Sequence, residues 1–156
     1  MWDFEPVQQL GFKNIYQDGR AVGFQILHRL PYYRGLWLSM SKGWSVMVDG
    51  ELFPREAITV TLKGITYTQD EAAQASDVLW GKLDPLYLNV AKPGGLEMGV
   101  HQVTVNWSQR VSYGAPEPDA PRQTGPADPD RPRLLVSEFG DGNSTVDLVM
   151  MSGPQL

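Results

Sequence analysis

Short runs of alternating apolar and polar residues, separated by turn-forming residues, fill most of this chain. In "AVGFQILHR" (21–29), Phe24, Ile26 and His28 share one face of a strand, and Gln25 and Leu27 share the other. "WSVMV" sets Trp44, Val46 and Val48 against Ser45 and Met47. Asp49-Gly50 then supplies a dipeptide that accepts positive φ in a two-residue hairpin turn, and "ELF" returns. "ITVTL" and "ITYT" flank a turn at Gly64, and "LYLNV" lies between Asp84-Pro85 and "KPGG" at 92–95. "VHQVTVNW" brings His101, Val103, Val105 and Trp107 into phase. The tail offers "RLLVSEF", a turn at "GDGN" (140–143) and "TVDLVM". About eight or nine turn-punctuated strands predict an all-β fold, an antiparallel two-sheet β-sandwich of jelly-roll-like arrangement. One short helix interrupts it. Thr68 and Glu71 in "TQDEAAQASDVLW" match a capping box, and the helix must end before Gly81.

With 156 residues, the protein suits a single domain over 1–156 with a real hydrophobic core. Residues 114–133, "GAPEPDAPRQTGPADPDRPR", differ in kind: proline recurs every few residues and no apolar periodicity survives. Such a proline-rich loop is either mobile or an extended arm laid on a neighbour.

Charge narrows the function. The net charge is −5 with no basic stripe, which argues against nucleic acid as a partner. No apolar run is long enough to span a membrane, and "MWDFEPVQQL" does not read as a secretory signal. Cysteine is absent, which removes disulfides and thiolate chemistry and agrees with a cytoplasmic setting.

Candidate chemistry is sparse. His28 and His101 have no companion at metal-ligand spacing, and neither a G-x-S-x-G elbow nor a phosphate loop occurs. No residue is therefore assigned as catalytic or as a metal ligand. "KPGGLEMG" places Gly94 and Gly95 before a strand, where they make a turn, whereas a phosphate cradle needs a helix N-terminus. Asp70, Glu71 and Asp77 read as a solvated helix face. His101 shares the phase of the buried residues of its strand, so its ring nitrogens need partners. It is either a core histidine bonded to backbone or a residue at a sheet end that meets a ligand or orders an interface.

The densest feature is "RLPYYRGLWLSM" (29–40), with Tyr32, Tyr33, Arg34, Leu36 and Trp37 close together. Aromatic residues and arginine dominate protein interfaces because they bury much area at low entropy cost. Aromatic faces also stack on sugars, so composition leaves core, ligand platform and protein contact open.

The strings "GFKNI…GRAVGFQI", "PYYRGLWLSM", "VMVDGE", "ITYTQDE", "DVLW", "KPGGLEMGVHQVTV" and "VSYGAP" together resemble the small β subunit of bacterial C-glycoside deglycosidases. The resemblance runs from about residue 10 to 116 and over the last strands. It implies an accessory subunit of a heteromeric carbon–carbon lyase acting on 3-oxo-C-glycosides. A ketone at C3 of the sugar acidifies the C2 proton, a base removes it, and the aglycone leaves by β-elimination. A barrel-type α subunit would hold a divalent metal, typically manganese, and the acid–base groups, leaving no cofactor in the β subunit. By the same resemblance, Tyr32, Tyr33, Arg34, Leu36 and Trp37 would face the α subunit near its pocket mouth. His101, with Gly94 and Gly95, would serve structure or the interface. Two other readings compete: a stand-alone carbohydrate-binding β-sandwich using Trp37, Trp44 and the tyrosines, and a self-sufficient enzyme using His101 beside an acid.

Overall fold

The computed structural model describes residues 6–31, 35–109, 136–137, 140–141 and 143–151. The first half of the protein forms β1 (Val7–Gln17), β2 (Arg20–His28), β3 (Leu36–Trp37), β4 (Ser41–Val48), β5 (Glu51–Leu52), β6 (Ile58–Leu62), β7 (Ile65–Thr68) and α1 (Gln69–Gln74). There follow β8 (Leu79–Trp80), β9 (Leu86–Ala91), β10 (Gly99–Gln109), β11 (Val136–Ser137), β12 (Gly140–Asp141) and β13 (Asn143–Met150). The all-β class expected from the alternation holds. The proline-rich segment 114–133 lies outside the described residues. The turn expected at 140–143 is corrected in part: Gly140 and Asp141 pair with Ser137 and Val136 as a small ribbon.

Every strand pairing is antiparallel among the described residues. A five-stranded sheet has the order β1-β2-β9-β6-β7, and a four-stranded sheet the order β13-β10-β4-β5. Register aligns the apolar rows. Val48, Val46 and Trp44 of β4 stand opposite Val103, Val105 and Trp107 of β10. In the other sheet Ile26 pairs with Leu88, which in turn pairs with Val60. These inward residues are buried and belong to one hydrophobic core shared by both sheets. Fully burying one such residue stabilises the fold by about 1.5–3 kcal/mol.

Local chemistry sets the connections. Asp49 and Gly50 both take positive φ (50° and 87°), the geometry that matches a two-residue turn to the twist of its strands. Helix α1 has the expected capping box. Thr68 Oγ1 accepts from the Glu71 backbone N–H at 3.1 Å, and the Glu71 carboxylate accepts from the Thr68 N–H at 2.8 Å. The first helical residue, Gln69, is buried and binds like a piece of strand. Its Oε1 accepts from the Trp44 N–H at 2.8 Å and its Nε2 donates to the Trp44 carbonyl at 3.1 Å. The helix thereby satisfies backbone of β4 that no neighbouring strand pairs. Among the described residues no helix is long and apolar enough to cross a membrane.

Candidate functional site

The ribbon β3–β8 gives one end of the molecule its character. Leu36 pairs with Trp80 and Trp37 with Leu79, so alternation sends one pair inward and the other outward. Trp80 is fully buried between the sheets. Its ring lies 5.8 Å from His28 of the five-stranded sheet, and 6.0 and 5.7 Å from Trp44 and Trp107 of the four-stranded sheet. Each indole N–H has an acceptor: Trp44 donates to His28 Nδ1 (3.1 Å), Trp80 to the Asp84 carbonyl (3.0 Å), and Trp107 to Ser41 Oγ (3.2 Å). His28 is buried, and desolvation pushes its pKa down to about 3. The ring is therefore neutral at ordinary pH. Because Nδ1 accepts, the proton sits on Nε2.

Outside this plug the ribbon is apolar where water meets it. Trp37 is 47 % exposed and Leu79, directly opposite, is 42 % exposed. Leu36, grouped with the surface residues in the sequence reading, instead points into the core and supports the ribbon from beneath. Gly35 packs so tightly that a Cβ there would lie 3.0 Å from the Trp80 carbonyl and 3.3 Å from Gly81 Cα. The segment leading to Trp37 is thus joined to the turn after β8. Tyr32, Tyr33 and Arg34 lie outside the described residues.

That turn, 81–84, is held from several sides. The Asp84 N–H donates to the Gly81 carbonyl (3.0 Å), the Gly81 N–H donates to Asp84 Oδ2 (2.9 Å), and Arg29 Nη1 donates to the Leu83 carbonyl (2.9 Å). Leu83 is 82 % exposed at its tip. The sequence reading did not single out Leu79, Leu83 or Arg29. The available signal was a leucine inside the otherwise polar string "GKLDP", where periodicity gives no reason for it.

The other sequence-selected residues gather at the opposite end. Trp107 and His101 are six positions apart on β10, roughly 20 Å along the strand. Gly94 and Gly95 take positive φ (84° and 65°) in the turn before β10. Asn14 of β1 clamps that turn: its side-chain amide exchanges two 2.9 Å hydrogen bonds with the backbone of Leu96, where a Cβ on Gly95 would collide with Asn14 Oδ1. His101 lies next to it. Its Nδ1 is 2.6 Å from Asp49 Oδ2 and its Nε2 is 2.7 Å from the Glu97 carbonyl, while Asp49 Oδ1 accepts from the Gln102 N–H. Both ring nitrogens thus face oxygens that only accept, which fits the imidazolium. Burial alone would lower the pKa of His101, but the Glu97 carbonyl and the Asp49 carboxylate outweigh it and raise the pKa. Asp49 in turn is held below its usual value, first by the His101 hydrogen bond. Among the described residues no three His, Asp or Glu side chains gather as a metal site.

Taken together, fold and site define a small antiparallel β protein with an apolar corner at one end and a polar clamp at the other. Comparison with known proteins names the family. A family model described as C-glycoside deglycosidase beta subunit matches residues 3–113. The protein is 35 % identical over 138 residues to the C-glycoside deglycosidase beta subunit of Eubacterium cellulosolvens, covering 87 % of this sequence and 90 % of that one. It is 33 % identical over 127 residues to the 3'-dehydrocarminate deglycosidase beta subunit of a Microbacterium species, covering 81 % and 91 %. It belongs to the family of C-glycoside deglycosidase β subunits.

Proposed function

We propose that this protein is the accessory β subunit of a cytoplasmic, heteromeric C-glycoside deglycosidase. The observation that carries the reading is the family match over residues 3–113, joined to relatives whose names are those of β subunits. The substrate is a 3-oxo-C-glycoside. A base takes the C2 proton, the electron pair forms the C1–C2 double bond, and the bond from C1 to the aglycone carbon breaks. The aglycone carbon takes up a proton as it leaves. The base and a divalent metal, manganese, belong to a barrel-type α subunit. The β subunit packs on that barrel and shapes the rim of its pocket, with the Trp37–Leu79 ribbon and the adjoining Tyr32–Arg34 segment at the contact.

The test compares turnover of a 3-oxo-C-glucoside by the β subunit alone, the α subunit alone and the co-expressed pair, each with manganese. Activity confined to a co-purifying pair supports the reading. Activity in the lone β subunit sinks it and moves attention to His101. Separate elution without turnover also sinks it, and binding of free glycoside by the β subunit then becomes the competing function.

A further inference from the structure

The turn after β8 has features that a solvent-facing loop does not need. Leu83 is the most exposed of the large apolar side chains among the described residues. Its carbonyl nonetheless accepts from the Arg29 guanidinium, the turn around it is closed by the Asp84 N–H on the Gly81 carbonyl and the Asp84 carboxylate on the Gly81 N–H, and the Trp80 indole fixes the residue after it. Trp80 itself is anchored in the core. A side chain displayed this way has little order left to lose on binding, which is the condition for an efficient anchor.

Charge around the turn runs against the rest of the protein. Arg29, Lys82 and Lys63 lie on or beside it, and the carboxylate of Asp84 is engaged by Lys63 at 3.4 Å and by the Gly81 N–H. The net charge of the whole molecule is −5. Of the other exposed apolar residues, Val100 stands opposite Val149 on a sheet, where the Gln9 amide brackets the Val149 backbone, and Met98 lies in the segment before β10. The Val149 carbonyl thus accepts from a neutral amide, where that of Leu83 accepts from a guanidinium.

We infer that Leu83 is a rigid apolar knob in a basic collar, and that it enters an apolar socket with an acidic rim on the α subunit. This rests on the β-subunit reading and gives it a specific anchor. Complementary charge of this kind speeds encounter and excludes wrong partners, while the buried side chain holds the complex.

The test is assembly of the intact heteromeric complex, by titration and co-elution, with Leu83→Asp, Leu83→Ala and Lys82→Glu in the β subunit. Leu83→Asp should weaken association roughly thirtyfold or more, in the range of an anchor residue. Leu83→Ala should weaken it less, and Lys82→Glu several-fold, the latter effect shrinking as salt screens the collar. Melting of each isolated variant should match the wild type, because these side chains face water. If wild type assembles and all three variants assemble equally well, the knob is overturned and the β-subunit reading survives. If the wild-type pair does not assemble, both fall together. Sedimentation with anionic phospholipid vesicles that Leu83→Asp abolishes, with assembly unchanged, would also overturn the inference by assigning the knob to a lipid surface.

Discussion

The two ends of the molecule are closed by opposite means, and a histidine marks each. At the ribbon end, Trp44, Trp80 and Trp107 enclose His28, whose ring is buried and neutral. At the other, Asp49, the Glu97 carbonyl and the Asn14 amide tie the 92–101 segment to two hairpins, and His101 sits among acceptors that favour its cation. The same residue type, on strands with the same alternation, thus takes opposite protonation states. Depth and partner chemistry decide this, because water removed from a cation is replaced by acceptors at one end and by indoles at the other. At the apolar end the exposed Trp37 and Leu79 lie over the buried plug; at the polar end Leu96 reaches the core while Met98 and Val100 beside it are exposed.

The sharpest way to break this comparison is to remove the plug. Trp80→Ala should lower stability by about 3–5 kcal/mol, read as an earlier urea midpoint, since it opens a cavity and frees the 81–84 turn. A loss as small as that of an exposed residue would show that the end is not sealed by burial. A second contrast uses acid. The unfolded state protonates His28 near its ordinary value of 6.5, whereas the folded ring stays neutral down to about 3. Between those values the unfolded state binds the extra proton, so stability falls as pH falls, by about 1.4 kcal/mol per pH unit from this group. His28→Asn offers an acceptor near Nδ1 without titrating, and its urea stability should show a shallower acid slope than wild type. Parallel slopes would mean that His28 is not buried as a neutral ring.

The smallest effect belongs to the polar end and has the reverse sign. The folded pKa of His101 is raised, so its contribution is complete below the unfolded value near 6.5 and is lost as pH rises through the folded value. Nitrogen-15 NMR should show a titration midpoint above 6.5, with both ring nitrogens protonated on its acid side. Asp49→Asn should bring that midpoint down and cost at most about 1 kcal/mol, because the Asp49 carboxylate is 52 % exposed. A midpoint at or below 6.5 would remove the clamp from the comparison.

Much of this was readable in the sequence. The alternation in β2, β4, β6, β9 and β10, the Asp49-Gly50 turn and the Thr68–Glu71 cap are local signals, and each falls where the local rules put it. The phase of His28 with Phe24 and Ile26 was also visible, but its depth was not, since periodicity tells which face a residue occupies and not how far along the strand the core extends. His101 shows the same limit: it shares the face of Val103 and Val105 yet sits at the rim.

By itself the sequence determined the all-β class, the hairpins and helix cap, and the membership of a family of β subunits. Short-range sterics, capping and alternation are encoded within a few residues, and shared ancestry is written in the order of the residues. Only the tertiary structure decided which histidine is neutral, that Leu36 turns inward while Trp37 turns out, and that Leu83 stands rigid in a basic collar. Those outcomes depend on residues brought together from distant strands, such as Arg29 with Leu83 or Asn14 with Leu96, and no local rule specifies such pairings.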